Sequence, residues 1–337
     1  MEKSEEPPEW ARDVPRKKIG IPYTFGELMS WLKNNAIGPS KKFKNLTDFI
    51  PQKSTQNAIT PKIKLGFLGD IMQMFKKELS IDPNLKGFFK DCDFLIGNFE
   101  GTLVAEDYAG KKVWMRQTHS EKILSALETL FPPSKFVLAN ANNHAGDYGW
   151  STFNKSYERL KDRSFLPIGR RDEPSIKLND EVNVTTCTKW TNQPKTPYII
   201  YLDEIVINPD AKFNILFPHW GYEMQLYPNS AQIELGEQLL EKWDLIVGHH
   251  SHCPQPITSY EMNEGNKVLA YSLGDFCTGL KMKKYHHGMV VKAEIGPGKD
   301  GAWKTGAVEW KFTRVHIVEK DQYEVRLEDA CKYFKDK

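Results

Sequence analysis

Residue types that bind metal ions recur at one kind of position in this chain. Six short apolar runs each end in an aspartate, a glutamate, an asparagine–histidine pair or a histidine. Carboxylate and imidazole groups together suit divalent ions such as Mn²⁺, Fe²⁺, Zn²⁺ and Mg²⁺. Such an ion lowers the pKa of bound water, and two ions about 3.5–4 Å apart can hold both the attacking and the leaving oxygen of a hydrolysis. The runs are Lys62–Asp70, Asp93–Glu100, Phe136–His144, Phe213–His219, Asp244–His252 and Val268–Asp275.

The elements that would position these residues are buried β-strands. A short, continuous apolar run is typical of a strand that is covered on both faces. In α/β sheets, functional groups gather beyond the carboxyl ends of such strands. His250 and His252 are separated by one residue, so on an extended segment both imidazoles would point to the same side. We therefore expect one polar site assembled from distant parts of the chain.

Each of these residues, taken alone, has a simpler explanation. Asp70 or Glu100 would more often be a helix N-cap or a turn residue, and Asn143 would suggest a turn. His219, which precedes Trp220, could be a hydrogen-bonded histidine of the core. Their joint occurrence, each just after a predicted buried strand, favours a metal site.

Helical and alternating patterns occupy much of the rest of the chain. Thr24 and Glu27 form a capping-box pattern, which predicts a short helix. Alternating apolar residues from Met289 onward predict antiparallel strands. We divide the chain into an N-terminal extension at 1–61, with a short helix and a linker, and one domain at 62–337, in which strands at 296–337 complete a second sheet. Further helices are predicted after Ser120, at 152–161 and after Ser230.

The composition is that of a soluble globular protein. Of the 337 residues, 40% are hydrophobic and 27% are charged, and the net charge of +2 gives no case for nucleic-acid binding. An apolar run of about 18 residues, which a membrane span requires, does not occur. The five cysteines are widely spaced and form no CxxC pair, which is typical of a reducing compartment. We expect a cytoplasmic protein, and the sequence leaves its oligomeric state open.

Six ordered motifs carry a resemblance to a known family. They are Gly69–Asp70, Asn98–Glu100, Ala141–Gly149, His219–Glu223, Gly248–His252 and Tyr271–Phe276. Together they resemble the CapA family of capsule-synthesis or poly-γ-glutamate biosynthesis proteins, which is related to the calcineurin-like metallophosphoesterases. The resemblance covers about residues 62–295, and residues 1–61 lie outside it.

The resemblance implies an α/β fold, a metallophosphoesterase-like four-layer αββα sandwich with mixed sheets. It also implies one or two divalent ions (Mn, Fe, Zn or Mg), because Asp70 is followed by Ile71 and Met72 where the related phosphoesterases have a histidine. His249 stays an alternative ligand to His250, since the preceding glycine permits either. The metal ligands that the resemblance implies are Asp70, Glu100, Asn143, His219, His250 and His252.

Roles for other residues follow from the same resemblance and from residue chemistry. The resemblance implies that His144 is the general acid that protonates the leaving group, with Asp147 as the residue that orients it. Arg116 and Arg170 are candidates for holding a carboxylate or phosphate, because guanidinium binds such groups in a bidentate manner.

Two functions are compatible with these expectations. We favour a CapA-like metal-dependent hydrolase whose metal-bound hydroxide attacks a phosphoester or a γ-glutamyl bond in an anionic small molecule or polymer. The alternative is a non-catalytic accessory protein of poly-γ-glutamate capsule synthesis or export that uses the same pocket for binding. Neither sequence pattern nor resemblance decides between phosphorus and carbonyl chemistry.

Overall fold

The computed structural model describes residues 7–12, 24–105, 116–193 and 196–334. In chain order, the strands are β1 (Lys53–Thr55), β2 (Ile63–Ile71), β3 (Glu78–Ile81), β4 (Phe94–Phe99), β5 (Thr102–Leu103), β6 (Thr118–His119), β7 (Phe136–Ala139), β8 (Leu166–Ile168), β9 (Ser175–Lys177), β10 (Val182–Thr188), β11 (Phe213–His219), β12 (Leu245–Val247), β13 (Ile257–Met262), β14 (Gly265–Ala270), β15 (Asp275–Cys277), β16 (His287–Pro297), β17 (Trp303–Glu319) and β18 (Gln322–Glu328). The helices are α1 (Glu9–Arg12), α2 (Phe25–Ile37), α3 (Pro83–Phe89), α4 (Glu121–Leu130), α5 (Gly149–Asp162) and α6 (Ser230–Leu240), with short 3₁₀ turns at Pro133–Lys135 and Lys283–Tyr285.

Two large sheets organise the described part of the chain. The larger runs in the order β3-β18-β17-β16-β2-β4-β7-β8, with β1 on β17 and β15 on β2. The smaller runs β13-β14-β12-β11-β10-β9, and β5 and β6 form a separate pair. All six apolar runs that the sequence marks as strands are strands. Three of them, β2, β4 and β7, are parallel neighbours in the larger sheet, and β11, β12 and β14 are parallel neighbours in the smaller one.

The two sheets pack face to face around the main hydrophobic core. Phe67 of β2 and Phe217 of β11 meet in it, with ring centroids 6.3 Å apart. Burial of each such ring contributes about 1.5–3 kcal/mol. Leu85 of α3 and Leu124 of α4 pack on the outer face of the larger sheet, and Leu240 of α6 packs on the outer face of the smaller one. The four-layer αββα sandwich that the resemblance implies is confirmed.

The C-terminal strands belong to a different sheet from the one predicted. The sequence predicts that residues 296–337 complete a second sheet, and this prediction is wrong. Strand β16 pairs antiparallel with β2, Val290 opposite Leu68, so β17 and β18 extend the larger sheet. The physical reason is that β16 is apolar on both faces. Val290 packs among residues under the helices and Val291 lies in the core between the sheets, so the strand can occupy the middle of a sheet.

The N-terminal extension contains the predicted helix. The Thr24 side chain accepts a hydrogen bond from the Glu27 amide, and the Glu27 carboxylate accepts one from the Thr24 amide at 2.7 Å, so the capping box at the start of α2 is present. Residues 38–61 then run along the domain, where the Ile50 amide donates to the Ile257 carbonyl at 2.9 Å and β1 pairs with β17. Within the described residues, no helix has the length and apolar character needed to cross a membrane.

Candidate metal centre

The carboxyl ends of the central strands of both sheets meet at one place. Close approach of the chain at Gly69 helps to form it, because a Cβ there would lie 1.9 Å from the Gly274 carbonyl oxygen. Four groups of donor atoms lie there, and the atoms of each group are within 4.8 Å of one another. The groups are Asp70–His219–His249, Glu100–His219–His250, Asp70–Glu100–His252 and Glu223–His250–His252.

Asp70 is a fully buried carboxylate at the end of β2. Its Oδ1 accepts a hydrogen bond from Asn98 Nδ2 at 2.8 Å, and its Oδ2 accepts one from the His250 amide at 3.0 Å. Burial works to raise the pKa of Asp70, but hydrogen bonding and charge from His249, 3.2 Å away, outweigh burial and lower it to about 2. Asp70 is therefore an ionised carboxylate at neutral pH.

Glu100 follows β4 and lies at the centre of the cluster. Burial, together with the neighbouring charge of Asp70, raises the pKa of Glu100 well above its usual value. Its Oε1 is 3.7 Å from His144 Nε2 and 3.8 Å from His252 Nε2, and it has no hydrogen-bond partner among the described residues. A buried carboxylate oxygen without a donor is normally costly, and a bound cation would relieve that cost.

His219 and His250 supply imidazoles in the form that binds metals. Burial, and then the nearby histidines, lower the pKa values of both rings well below 6.5, so both are neutral at neutral pH. His219 Nε2 lies 2.9 Å from Asn143 Oδ1. Neither ring nitrogen of His250 has a hydrogen-bond partner among the described residues, although the side chain is fully buried. Neutral imidazole with a free nitrogen is a preferred ligand of borderline divalent ions.

His252 is held by a second carboxylate. Its Nδ1 lies 2.8 Å from Asp275 Oδ1, which leaves Nε2 directed towards the Glu100 side of the cluster. Histidines that bind metals commonly donate their other N–H to a carboxylate in this way. Burial disfavours the charged form of His252, but the carboxylates of Asp275 and Glu100 outweigh burial and raise its pKa. Burial raises the pKa of Asp275 to about 7.

The chain bends sharply through the three histidines. His250 has φ of 97° and His252 has φ of 54°, values that non-glycine residues rarely adopt and that cost about 1–3 kcal/mol each. The expectation that His250 and His252 face one site holds, but the reason given, an extended segment, is wrong. The bend also brings His249 Nδ1 to 2.8 Å from His219 Nδ1, so His249 and His250 both stay candidate ligands.

His144 and Asp147 form a hydrogen-bonded pair beside the cluster. His144 Nδ1 lies 2.6 Å from Asp147 Oδ2, which also accepts a hydrogen bond from the Gln117 amide at 2.9 Å. The other ring nitrogen, Nε2, faces Glu100 and lies 3.4 Å from Asn192 Nδ2. With Nδ1 held by the carboxylate, Nε2 is the atom that can exchange a proton with a bound molecule.

The two arginines that the sequence marks as candidates lie in different places. Arg116 lines a pocket of about 450 Å³ that opens above His144 and His252, and its guanidinium lies 5.3 Å from the centre of the Tyr148 ring. Arg170 is not among the described residues that line this pocket. It is nearly buried and forms ion pairs with Glu158, Asp172 and Glu173.

Two residues of the cluster have no ligand role among the sequence predictions. Glu223 lies with His250 and His252 in one donor group, and Asn98 Nδ2 is 3.3 Å from His219 Nδ1 as well as bonded to Asp70. The signal for Asn98 was present, because it precedes Glu100 by two residues and so lies on the same side of the strand. Glu223 ends the motif His219–Glu223, but its spacing from His219 does not by itself indicate a ligand.

The fold and the cluster together define an αββα protein with a candidate divalent-metal centre at the strand ends. The chain belongs to the family described as bacterial capsule synthesis protein PGA_cap, whose family model matches residues 64–189 and 201–279. The family that the motifs indicated is thereby confirmed.

Individual relatives are similar over part of their length. The chain is 26% identical to the PGA biosynthesis protein CapA of Bacillus subtilis (strain 168) over 260 residues, which are 65% of this chain and 66% of that protein. It is 24% identical to the capsule biosynthesis protein CapA of Bacillus anthracis over 259 residues, 67% of this chain and 61% of that protein. The chain thus spans less than two thirds of the length of each relative. The chain is also similar to a solved structure, the calcineurin-like phosphoesterase YfkN from Bacillus subtilis, with 13% identity and a TM-score of 0.40. The match covers 75% of this chain and 91% of that one.

Proposed function

We propose that this chain is a metal-dependent hydrolase. The observation that carries the proposal is the set of buried donor atoms without partners, Glu100 Oε1 and both ring nitrogens of His250, among the described residues. These atoms face one another across a small volume and match the preferences of a borderline divalent ion. The residues that would hold one or two such ions are Asp70, Glu100, Asn143, His219, His250 and His252, with His249 and Glu223 as further candidates.

The reaction proposed is hydrolysis of an ester or amide. When bound, a divalent ion lowers the pKa of water and polarises the group under attack. Water gives up one proton to solvent and forms the new bond to phosphorus or to the carbonyl carbon, and the bond to the leaving oxygen or nitrogen breaks. His144 Nε2 gives its proton to that leaving atom, while Asp147 holds the ring in position from Nδ1 at 2.6 Å.

The substrate class is anionic on this proposal. Arg116 reaches the pocket and can bind a phosphate or a carboxylate, whereas Arg170, already paired with three carboxylates, is not part of the proposed site. A phosphoester and a γ-glutamyl amide both fit this chemistry, and two relatives are named for PGA biosynthesis and capsule biosynthesis. A cytoplasmic location and the lack of a nucleic-acid partner stay predictions.

The test is metal content followed by a substrate screen. Protein purified without chelators is analysed by inductively coupled plasma mass spectrometry and assayed on phosphoester and γ-glutamyl substrates with and without Mn²⁺. We expect about one or two ions per chain and turnover that a chelator abolishes. A His250→Ala, His252→Ala double variant should lose both properties, and His316→Ala, on the far strand β17, should keep them. No bound metal, or full turnover in the double variant, would refute the proposal.

A second candidate function is an accessory role in capsule synthesis without turnover. It is favoured by the names of the two relatives, which describe biosynthesis rather than hydrolysis. In that role the same pocket would bind poly-γ-glutamate or a partner protein. Saturable binding of polyglutamate that depends on bound metal, with no cleavage in any assay, would support this function over the first.

A further inference from the structure

Helix α2 forms one side of the pocket above the metal-ligand cluster. Trp31, Leu32, Asn35 and Ala36 line this pocket from the helix, and His144 and His252 line it from below. The helix lies outside the residues that match the family, which begin at 64. The N-terminal extension therefore adds a wall to a site whose floor belongs to the family domain.

Two side-chain hydrogen bonds attach α2 to residues that contact the cluster. Trp31 Nε1 donates to Glu223 Oε2 at 2.6 Å, and Glu223 belongs to one of the donor groups. The Tyr285 hydroxyl donates to Asn35 Oδ1, and the Tyr285 ring packs edge-on against His252, with centroids 5.8 Å apart. The position of the helix over the pocket is thus specified by contacts and not only by its hydrophobic face.

The wall and the floor of this pocket have opposite chemistry. The floor consists of imidazoles, carboxylates and amides, whereas the wall that includes α2 exposes apolar side chains. Leu32 and Met282 are each 45% exposed although they border the pocket, and Phe75 and Leu280 lie beside them. Among the described lining residues, Arg116 is the one lysine or arginine. An apolar group bound here would remove these side chains from water, and Arg116 is the described cation available to an anionic group beside it.

We propose that the substrate carries an alkyl or aryl group next to its anionic reacting group. The anionic group lies on the floor near Arg116 and His144, and the apolar group lies against Trp31, Leu32 and Met282. This inference rests on the proposed function and names its substrate class more narrowly, as a phosphoester with an apolar substituent. Helix α2 is then a specificity element, and Leu32 is the residue of α2 whose substitution changes selectivity with the least disturbance of the fold.

The test is binding of a homologous series of alkylphosphonates, from methyl to hexyl, to the Mn²⁺-loaded protein by titration calorimetry. Each methylene that is buried should tighten binding by about three- to fourfold, the equivalent of about 0.8 kcal/mol. Leu32→Asn should flatten this dependence, so that its effect is smallest on methylphosphonate, which has no methylene, and grows with chain length. Phe25→Asn is the matched control, because Phe25 is on the same helix, is 80% exposed and does not line the pocket.

The outcomes separate this inference from the proposed function. If methylphosphonate binds but longer chains bind no better, the apolar subsite is refuted while the metal site stands. If the chain-length dependence persists in Leu32→Asn, or is lost equally in Phe25→Asn, α2 is not the wall that recognises the substituent. If Mn²⁺ binds and no phosphonate does, phosphoester hydrolysis and this inference fail together.

Discussion

The floor and the rim of the pocket are built in different ways. The floor is the cluster around Asp70, Glu100 and His252, which lies fully buried at the ends of central strands. The rim is the wall described above, formed by α2 together with Met282 and Tyr285. It is attached through a few side-chain hydrogen bonds and exposes apolar surface. The difference indicates that the floor, where sheet geometry sets the donor positions, carries the chemistry. The rim, which can vary without disturbing the sheets, carries the selectivity.

The floor also carries an electrostatic cost that the rim does not. Glu100 is buried beside Asp70, and the two carboxylates lie among four histidines, two of which are kept neutral by burial. Backbone strain at His250 and His252 adds to this cost. The free energy of unfolding of the metal-free chain is therefore lower than it would be with an apolar cluster in this place. Such a loss of stability is typical of functional sites.

Glu100→Gln is expected to have the largest effect. Glu100 is shared by two donor groups, so the variant should lose bound metal and metal-dependent turnover. The metal-free variant should be at least as stable as the wild type at pH 7. Folding raises the pKa of Glu100 above its usual value of 4.5, so the folded state is favoured most at pH values below 4.5. The free energy of unfolding then falls as the pH rises through the raised pKa. Glutamine does not ionise and so removes this loss of stability. Thermal unfolding without Mn²⁺ measures the stability of the metal-free variant, and unfolding with Mn²⁺ measures the loss of metal binding.

The wild type provides the reference for this measurement. At an Mn²⁺ concentration of about 100 times Kd, its unfolding free energy should rise by about 2.7 kcal/mol, and that of Glu100→Gln should not change. Glu309→Gln, on β17, is the matched control and should keep the metal effect. A metal-free Glu100→Gln protein that is strongly destabilised would mean that Glu100 stabilises the fold and is not kept at a cost.

His144→Gln is expected to separate chemistry from metal binding. His144 is in none of the donor groups, so the metal content should be unchanged while kcat falls by about 10²- to 10⁴-fold, the usual contribution of a general acid. Steady-state kinetics and metal analysis of the same preparation check this. His316→Gln is the control. An unchanged kcat would exclude His144 as the proton donor, and loss of metal would make it a metal ligand.

The floor could be predicted from the sequence because its residues share one simple relation to the strands. Asp70, Glu100 and His219 each end an apolar run, and parallel strands that end at one edge bring such residues together. The bend at His250 could not be predicted, because a left-handed backbone at a non-glycine residue is imposed by the surrounding structure. The sheet that receives β16 was also beyond local pattern, since it depends on pairing with β2, more than 200 residues earlier.

The position of the rim was predicted less well, because it too depends on contacts between residues that are far apart in the chain. The capping residues Thr24 and Glu27 announce α2 locally, and the helix is present. Its place over the pocket depends on the contact between Trp31 and Glu223, which are 192 residues apart in the chain. Nothing in a local pattern indicates which distant surface a short amphipathic helix will cover.

Metal binding to the floor is expected to release protons. In the metal-free chain, burial and Asp70 raise the pKa of Glu100, and carboxylates raise that of His252 against the effect of burial. Metal must displace protons from these groups, so affinity should increase as the pH rises from 6 to 8, by up to about tenfold per pH unit for each proton displaced. Calorimetry in buffers of different ionisation enthalpy counts the protons. Asp275→Asn should reduce the count, and an affinity that is independent of pH would contradict the assigned ligands.

Tyr285→Phe is expected to have the smallest effect and to test where the floor ends. The variant removes the hydroxyl that donates to Asn35 but keeps the ring that packs against His252. If α2 belongs only to the rim, kcat and metal content should stay the same, while KM rises about two- to tenfold, as loss of a neutral hydrogen bond predicts. Hydrogen exchange of the amides in Phe25–Ile37 should become faster. Tyr260→Phe, which loses a hydroxyl contact with Tyr271 away from the pocket, is the matched control. A fall in kcat with KM unchanged would mean that Tyr285 acts on the cluster through His252, and the helix would then have to be counted with the catalytic floor.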